Sequence, residues 1–265
     1  MNSNLDISVL ISTRPRYPGP LLYNLERAKS LTCSLDNVEF LLKIDHDDLG
    51  TRNVVDKFIE KSGMPIRYII MDGLKKRYGI DDYTNLLAWN AKGNLLWYWS
   101  DELSMYTQDW NIKAGVYAQK YVNIPMVLMA RNHTNPLGYC FAPAISRKWL
   151  EITGRFCYHT CIDSYLELVA GPLRQNNIGT HNVVSYVMSN IIVEELSIDK
   201  MQKFDRDITP SPIITTRAEA KIADVYLQHA IDPRLELNHN WTKDLFQETF
   251  EDIASKFYQY PIKKT

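Results

Sequence analysis

Two adjacent carboxylates close the most apolar and aromatic stretch of the chain. Residues 95–111 read LLWYWSDELSMYTQDWN, and the strand-like first part ends at Ser100-Asp101-Glu102. A carboxylate pair at the end of a buried strand is costly unless a cation meets it. In an open α/β sheet that strand end is also where ligands bind. Hard oxygen donors suit Mg²⁺ or Mn²⁺, which would carry a phosphorylated ligand. The plainer alternative is an acidic turn capping a helix that starts near Gln108. Two further acidic groups fall at expected strand ends or helix starts, Asp45-His46-Asp47-Asp48 and Asp163. A strand-end carboxylate accepts hydrogen bonds from a ribose or a base edge. An acidic pair holds a metal that neutralises a diphosphate. A third carboxylate takes a proton from an attacking hydroxyl. Together they suit transfer of a group from a nucleotide diphosphate to an alcohol. Each also has a structural alternative: an Asx-turn for Asp45, and for Asp163 an exposed carboxylate in the first turn of a helix, where the dipole favours it.

The elements that must position these groups alternate. Asp6–Ser12 is a short apolar, β-branched run of the kind that forms a buried parallel strand. Pro18 and Pro20 sit where a helix starts, and Leu21, Leu22, Leu25, Ala28 and Leu31 follow at helical spacing. Val38–Ile44 is the next strand. Val54, Val55, Phe58 and Ile59 mark a second helix, stopped near Gly63 and Pro65. Ile66–Met71 is a third strand. Asp81 or Asp82 caps a helix carrying Leu86, Leu87 and Ala91, and Leu95–Trp99 is the fourth strand. Such alternation builds a parallel sheet with right-handed crossovers and helices on both faces. Beyond it the pattern predicts a helix over 108–121, strands at Pro125–Ala130 and Gly138–Phe141, helices at Ala144–Thr153 and Thr160–Ala170, a strand at Asn190–Leu196, and helices over 217–231 and 241–258. In the Trp97-Tyr98-Trp99 run, alternate residues are expected in the core and the others near the ligand.

Composition narrows the class. The 265 residues are 45% hydrophobic, which supports a sizeable core. Thirty basic and 31 acidic residues leave a formal net charge of −1, and no basic patch of the kind nucleic-acid binding needs. The four cysteines, Cys33, Cys140, Cys157 and Cys161, lack a second pair at zinc-ligand spacing and read as reduced, buried thiols. The opening MNSNLDISVLIS has neither a basic start nor a long apolar core, and no run of ~18 apolar residues spans a membrane. A cytoplasmic protein is expected.

The ordered motifs resemble the inverting nucleotide-sugar glycosyltransferases of the GT-A fold, in their large family-2-like group. Ile7–Arg14 is similar to that group's first strand and nucleotide-binding turn. Glu39–Asp45 with Asp48 resembles its second strand, whose terminal Asp meets the uracil or ribose. Gly79, Asn85 and Gly93 reproduce a G-x₅-N-x₇-G spacing before the metal strand. Trp97–Leu103 resembles the metal-binding "DxD" strand, and Asp109-Trp110 the tryptophan that follows it. Cys161–Leu166 resembles the acceptor-side "ED-x-D-L" motif. The resemblance covers about Asp6–Leu196. Against "D-A-D-D" this chain reads Trp99-Ser100-Asp101-Glu102, so the first Asp is missing. Ile162 and Tyr165 replace two acids of the acceptor motif, and Ser197-Ile198-Asp199-Lys200 offers no His for a metal.

The resemblance implies a GT-A domain over 1–216, split into a nucleotide-binding half (1–104) and an acceptor half (105–216), with a C-terminal helical extension over 217–265. It implies donor contacts at Thr13, Arg14, Asp45, Asn85 and Asp101, a Mn²⁺ or Mg²⁺ at Asp101 and Glu102, and a catalytic base at Asp163. The donor is then a nucleotide-diphosphate sugar. The acceptor is a hydroxyl on a glycan, a lipid-linked carrier or another molecule. His46, His133 and His159 are lesser candidates for sugar or phosphate contact. The C-terminal helices either form a homodimer contact or cover the sheet. Two other readings stay open: a nucleotidyltransferase making activated sugars, disfavoured because Ser12–Gly19 holds a single Gly where a triphosphate loop is Gly-rich, and a non-catalytic binding or assembly protein that kept the fold.

Overall fold

A computed structural model describes residues 5–13, 18–71, 80–133, 142–157 and 184–195, together with positions 162, 165–166, 169–170, 252–253 and 255–256. The elements follow in order as β1 (Ile7–Ser12), α1 (Pro18–Ser30), β2 (Val38–Asp45), α2 (Leu49–Ser62), β3 (Ile66–Met71), α3 (Ile80–Asn90), β4 (Leu95–Ser100), β5 (Leu103–Met105), α4 (Trp110–Lys120), β6 (Met126–Asn132), β7 (Pro143–Ser146), α5 (Arg147–Thr153) and β8 (Val184–Glu195). Described residues 162, 165–166 and 169–170 are helical as well.

The strands form one sheet in the order β3-β2-β1-β4-β7-β6-β8-β5. The first four are parallel. Strand β7 runs antiparallel to both neighbours, β6 and β8 are parallel, and β5 closes the far edge antiparallel to β8. The expected α/β architecture, with a mostly parallel central sheet, is the one observed. Because β1, β2 and β4 are covered on both faces, their residues are apolar on both sides of the pleat. Trp97, Tyr98 and Trp99 are accordingly all buried, not alternately exposed. Phe40, Trp97, Trp99 and Trp110 form one cluster with centroids 5.2–6.2 Å apart, edge-on except for the tilted Trp99–Trp110 pair, and ring quadrupoles favour the edge-on contacts.

Local chemistry sets most boundaries. Asp48 caps α2 by accepting from the Thr51 N–H at 3.1 Å, and Gly63 ends it in the left-handed region at φ 64°. Several boundaries differ from the sequence pattern. Helix α3 starts at Ile80, so Asp82 lies inside it and does not cap it. The expected helix from Ala144 begins only at Arg147, because Pro143–Ser146 is drawn into the sheet between β4 and β6. Ser146 then caps α5 by accepting from the Trp149 N–H. Strand β8 starts six residues before the expected Asn190. Cys33 is exposed where a buried thiol was expected, and Cys157 is buried. The expected strand at Gly138–Phe141 and the helix over 217–231 lie outside the described residues.

The amino edge of the parallel strands is locked by polar contacts. Ser8 donates to Glu39 at 2.6 Å, the Gly93 N–H donates to Ser8 Oγ at 2.8 Å, and Arg67 pairs with Glu39 at 3.0 Å. Burial pushes the Glu39 carboxyl up, but hydrogen bonds from Ser8, the Lys92 main chain and Arg67 outweigh it and hold the group below its ordinary range. Gly93 is required by proximity: a Cβ there would lie 2.6 Å from main-chain atoms of Ile7 and Ser8. From the C-terminal extension, Ile253 is buried in the core and Lys256 Nζ donates to the Thr153 carbonyl at 3.2 Å. No helix among the described residues is long and apolar enough to cross a membrane.

Candidate active site

The opposite, carboxyl edge of the sheet gathers the candidate residues. In register, Ser12 at the end of β1 lies beside Lys43 of β2 on one side and Ser100 of β4 on the other. The next residues, Thr13 and Asp101, therefore emerge at the level of Ile44, one residue before Asp45. With strands ~4.8 Å apart, β2 and β4 bracket a span of about 10 Å, on the scale of one nucleotide.

Asp101 and Glu102 form a turn between β4 and the short β5. The sequence pattern does not reveal β5, and its presence removes the helix-cap alternative: α4 starts only at Trp110, preceded by Asp109 in the left-handed region at φ 54°. Asp101 is 4% exposed and Glu102 half-buried. Helix α1 fixes this turn from below. Asn24 donates to the Asp101 carbonyl at 2.8 Å and, one turn later, Arg27 donates to the Met105 carbonyl at 2.6 Å. Asn24 Oδ1 is buried without a hydrogen-bond partner among the described residues.

Asp45 is also buried, and Lys43 Nζ donates to its Oδ1. Thr13 turns its hydroxyl inward, donating to the Lys43 carbonyl at 2.7 Å, while its N–H donates to the same oxygen at 3.1 Å. Its side chain thus fastens the β1 and β2 ends together. Asn85 does a comparable task elsewhere. Its Oδ1 accepts from the Phe156 and Cys157 N–H groups and its Nδ2 donates to the Cys157 carbonyl at 2.7 Å, tying α3 to the segment after α5. Arg14, Asp163 and His159 lie outside the described residues. The described residues Ile162, Tyr165 and Leu166 are helical and buried. His46 is exposed. His133, also exposed, stacks on Tyr106 at 4.8 Å, while Arg27 lies 4.3 Å from the centroid of the Tyr106 ring.

Three residues that the motifs do not pick out belong to this edge: Asn24, Lys43 and Tyr83. Asn24 is a polar residue on the apolar face of α1, between Leu21 and Leu25. Lys43 is the one basic residue of β2. Those two oddities of pattern are the signals that mark them.

Among the described residues no group of three or more His, Cys, Asp or Glu side chains could hold a metal. A metal cage made wholly by the described protein groups is therefore absent. Two adjacent carboxylates nonetheless fit an ion that keeps waters and completes its shell with substrate phosphates, the usual habit of Mg²⁺ and Mn²⁺ in such sites. Asp101 and Glu102 meet that requirement in donor type.

No protein-family model matches the chain, and no characterised protein matches it by sequence. Solved structures do match by shape. The mannosyltransferase PcManGT from Pyrobaculum calidifontis, in complex with GDP-Man and Mn²⁺, is 12% identical at a TM-score of 0.57, over 96% of this chain and 70% of that one. TarS of S. aureus, residues 1–349 with UDP-GlcNAc, is 11% identical at a TM-score of 0.53, over 96% of this chain and 73% of that one. The fold is GT-A-like. At such identities the likeness shows the fold alone.

Proposed function

We propose that this chain is a glycosyltransferase that takes a sugar from a nucleotide-diphosphate donor and passes it to a hydroxyl acceptor with inversion. The observation that carries the proposal is the placement of Asp45 and of Asp101-Glu102 at the carboxyl ends of β2 and β4, the two parallel strands that flank β1, within one nucleotide's reach, in a GT-A-like fold. Asp45 accepts hydrogen bonds from the nucleoside, and the main chain at Thr13 with Arg14 approaches the base and phosphates. Asp101 and Glu102 hold Mn²⁺ or Mg²⁺ beside the diphosphate. The metal, when bound, supplies positive charge to the departing diphosphate. Asn85 acts at one remove, by holding residues 156–157 against α3.

Asp163 takes the proton from the acceptor hydroxyl as its oxygen attacks the anomeric carbon. The bond to the diphosphate breaks on the opposite face, so the configuration inverts. The acceptor class is a hydroxyl on a glycan or a lipid-linked carrier, and the site of action is the cytoplasm. Glutamate at the position of Ile162 and aspartate at that of Tyr165 are not needed for this proton transfer, which uses one carboxylate.

The test is donor turnover. Purified protein is incubated with UDP-, GDP-, CDP- and ADP-sugars and Mn²⁺, and release of nucleoside diphosphate is followed. The proposal expects one nucleotide class to be consumed and the released or transferred sugar to carry the inverted anomeric configuration in its proton NMR spectrum. Pyrophosphate formation from a nucleoside triphosphate and a sugar phosphate would point to the nucleotidyltransferase alternative.

A further inference from the structure

Strand β2 carries a buried charge pair that its role in the sheet does not require. Of its eight residues, Val38, Phe40, Leu41, Leu42 and Ile44 are buried and apolar, and Lys43 and Asp45 are buried with them. The Lys43 and Asp45 side chains are 2% and 1% exposed, and they lie on the same face of the strand two residues apart. Lys43 Nζ donates to Asp45 Oδ1 and sits 4.0 Å from the centroid of the Tyr83 ring, itself buried at the start of α3. Among the described residues nothing else hydrogen-bonds to the Asp45 carboxylate, so Oδ2 is left without a partner. A buried ion pair contributes little net stability unless its remaining lone pairs and protons are satisfied, and apolar replacements are often as stable. This pair is incompletely satisfied, and it lies at the strand end where a ligand binds.

We propose that Lys43 is a positioning residue for the nucleoside. It holds Asp45 by Oδ1, charged and fixed in orientation, with Oδ2 left to accept an N–H or O–H from the base or ribose of the donor. Tyr83 closes the other side of the ammonium and keeps Lys43 from turning away. The inference rests on the donor-binding reading above and adds to it a residue that does not itself touch the ligand.

The experiment is a double-mutant cycle read as nucleotide affinity, by titration calorimetry with UDP, GDP, CDP and ADP, with thermal melts recorded on the same samples. Variants are Lys43→Met, Asp45→Asn and the two combined. The expected result is that each single change weakens the preferred nucleotide about tenfold or more, while the double variant binds no worse than the weaker single one. If Lys43→Met is too unstable to fold, Lys43→Gln, which keeps a hydrogen-bond donor, and the comparison of the double variant with Asp45→Asn carry the test. A folded Lys43→Met or Lys43→Gln protein with wild-type affinity overturns the inference and leaves the donor reading intact. So does a double variant weakened by the product of the two single effects, since Lys43 would then act independently of Asp45. A wild-type protein that binds none of the four nucleotides overturns both.

Discussion

Asn24 on α1 donates to the main-chain carbonyl of Asp101 at 2.8 Å, so the first helix of the fold grips the turn that carries Asp101 and Glu102. This contact joins residues 77 positions apart and is buried. It fixes the turn through its main chain.

The first prediction concerns that clamp. Asn24→Ala leaves a buried carbonyl without its donor, which costs about 1–3 kcal/mol. Urea unfolding should show that loss. Metal-dependent nucleotide binding should weaken as well, while metal-independent binding should change less. Equal weakening with and without metal would place the role of Asn24 elsewhere.

Gly93 gives a prediction at the opposite edge of the sheet. A methyl group there meets main-chain atoms at 2.6 Å, which cannot turn aside. Gly93→Ala should therefore destabilise by about 1–3 kcal/mol or more through overpacking. The folded fraction should keep wild-type nucleotide affinity, because Gly93 lies at the amino edge, away from Asp45 and Asp101. Melting curves with and without nucleotide separate the two effects.

The pH dependence of stability follows from Glu39. Its carboxyl is held below the ordinary 4.5 by Ser8, the Lys92 N–H and Arg67, which together outweigh burial. Because the folded value lies below the unfolded one, its contribution is full above about pH 4.5 and is lost as pH falls through the lower folded value. Glu39→Gln should flatten the acid side of the stability curve in that window. A variant that loses stability as steeply on acidification as wild type would contradict this assignment.

Asp163→Ala should abolish sugar transfer while leaving donor binding nearly intact, because the proposed base acts only on the acceptor. Transfer at the wild-type rate would remove Asp163 from the mechanism. Lost donor binding would move it to the donor side.

Much of this architecture was legible from hydrophobic pattern and punctuation. The runs at Ile7–Ser12, Val38–Asp45 and Leu95–Ser100 announce buried parallel strands, and Gly63 and Pro18 mark helix ends by local chemistry that no distant contact overrides. Strands β5 and β7 were hidden. Each is only three or four residues long, too short to show a period of two, and each is a strand because of partners far along the chain. Of the candidate site, Asp45, Asp101 and Glu102 stand out in the sequence as acids at the ends of apolar runs. Asn24 belongs to no motif, and its place between Leu21 and Leu25 on the apolar face of α1 marks it as unusual without revealing its task, a hydrogen bond to a main-chain carbonyl. Lys43 is conspicuous in β2, but its pairing with Asp45 depends on both side chains facing the same way beneath Tyr83. Thr13 and Asn85 fit the resemblance by position, yet their side chains are hydrogen-bonded to the main chain of the fold itself.

The central claim is a nucleotide-diphosphate site at the carboxyl edge, organised by Asp101. The most direct measurement is thermal stability of the purified protein against UDP, GDP, CDP and ADP, each with and without Mn²⁺, for wild type and Asp101→Ala. A ligand at ~100 times its dissociation constant stabilises by ~2.7 kcal/mol, which a melt resolves. The account predicts a Mn²⁺-dependent upward shift for one nucleotide in the wild type, lost in Asp101→Ala. No shift with any nucleotide, or the same Mn²⁺-dependent shift in Asp101→Ala, would contradict it.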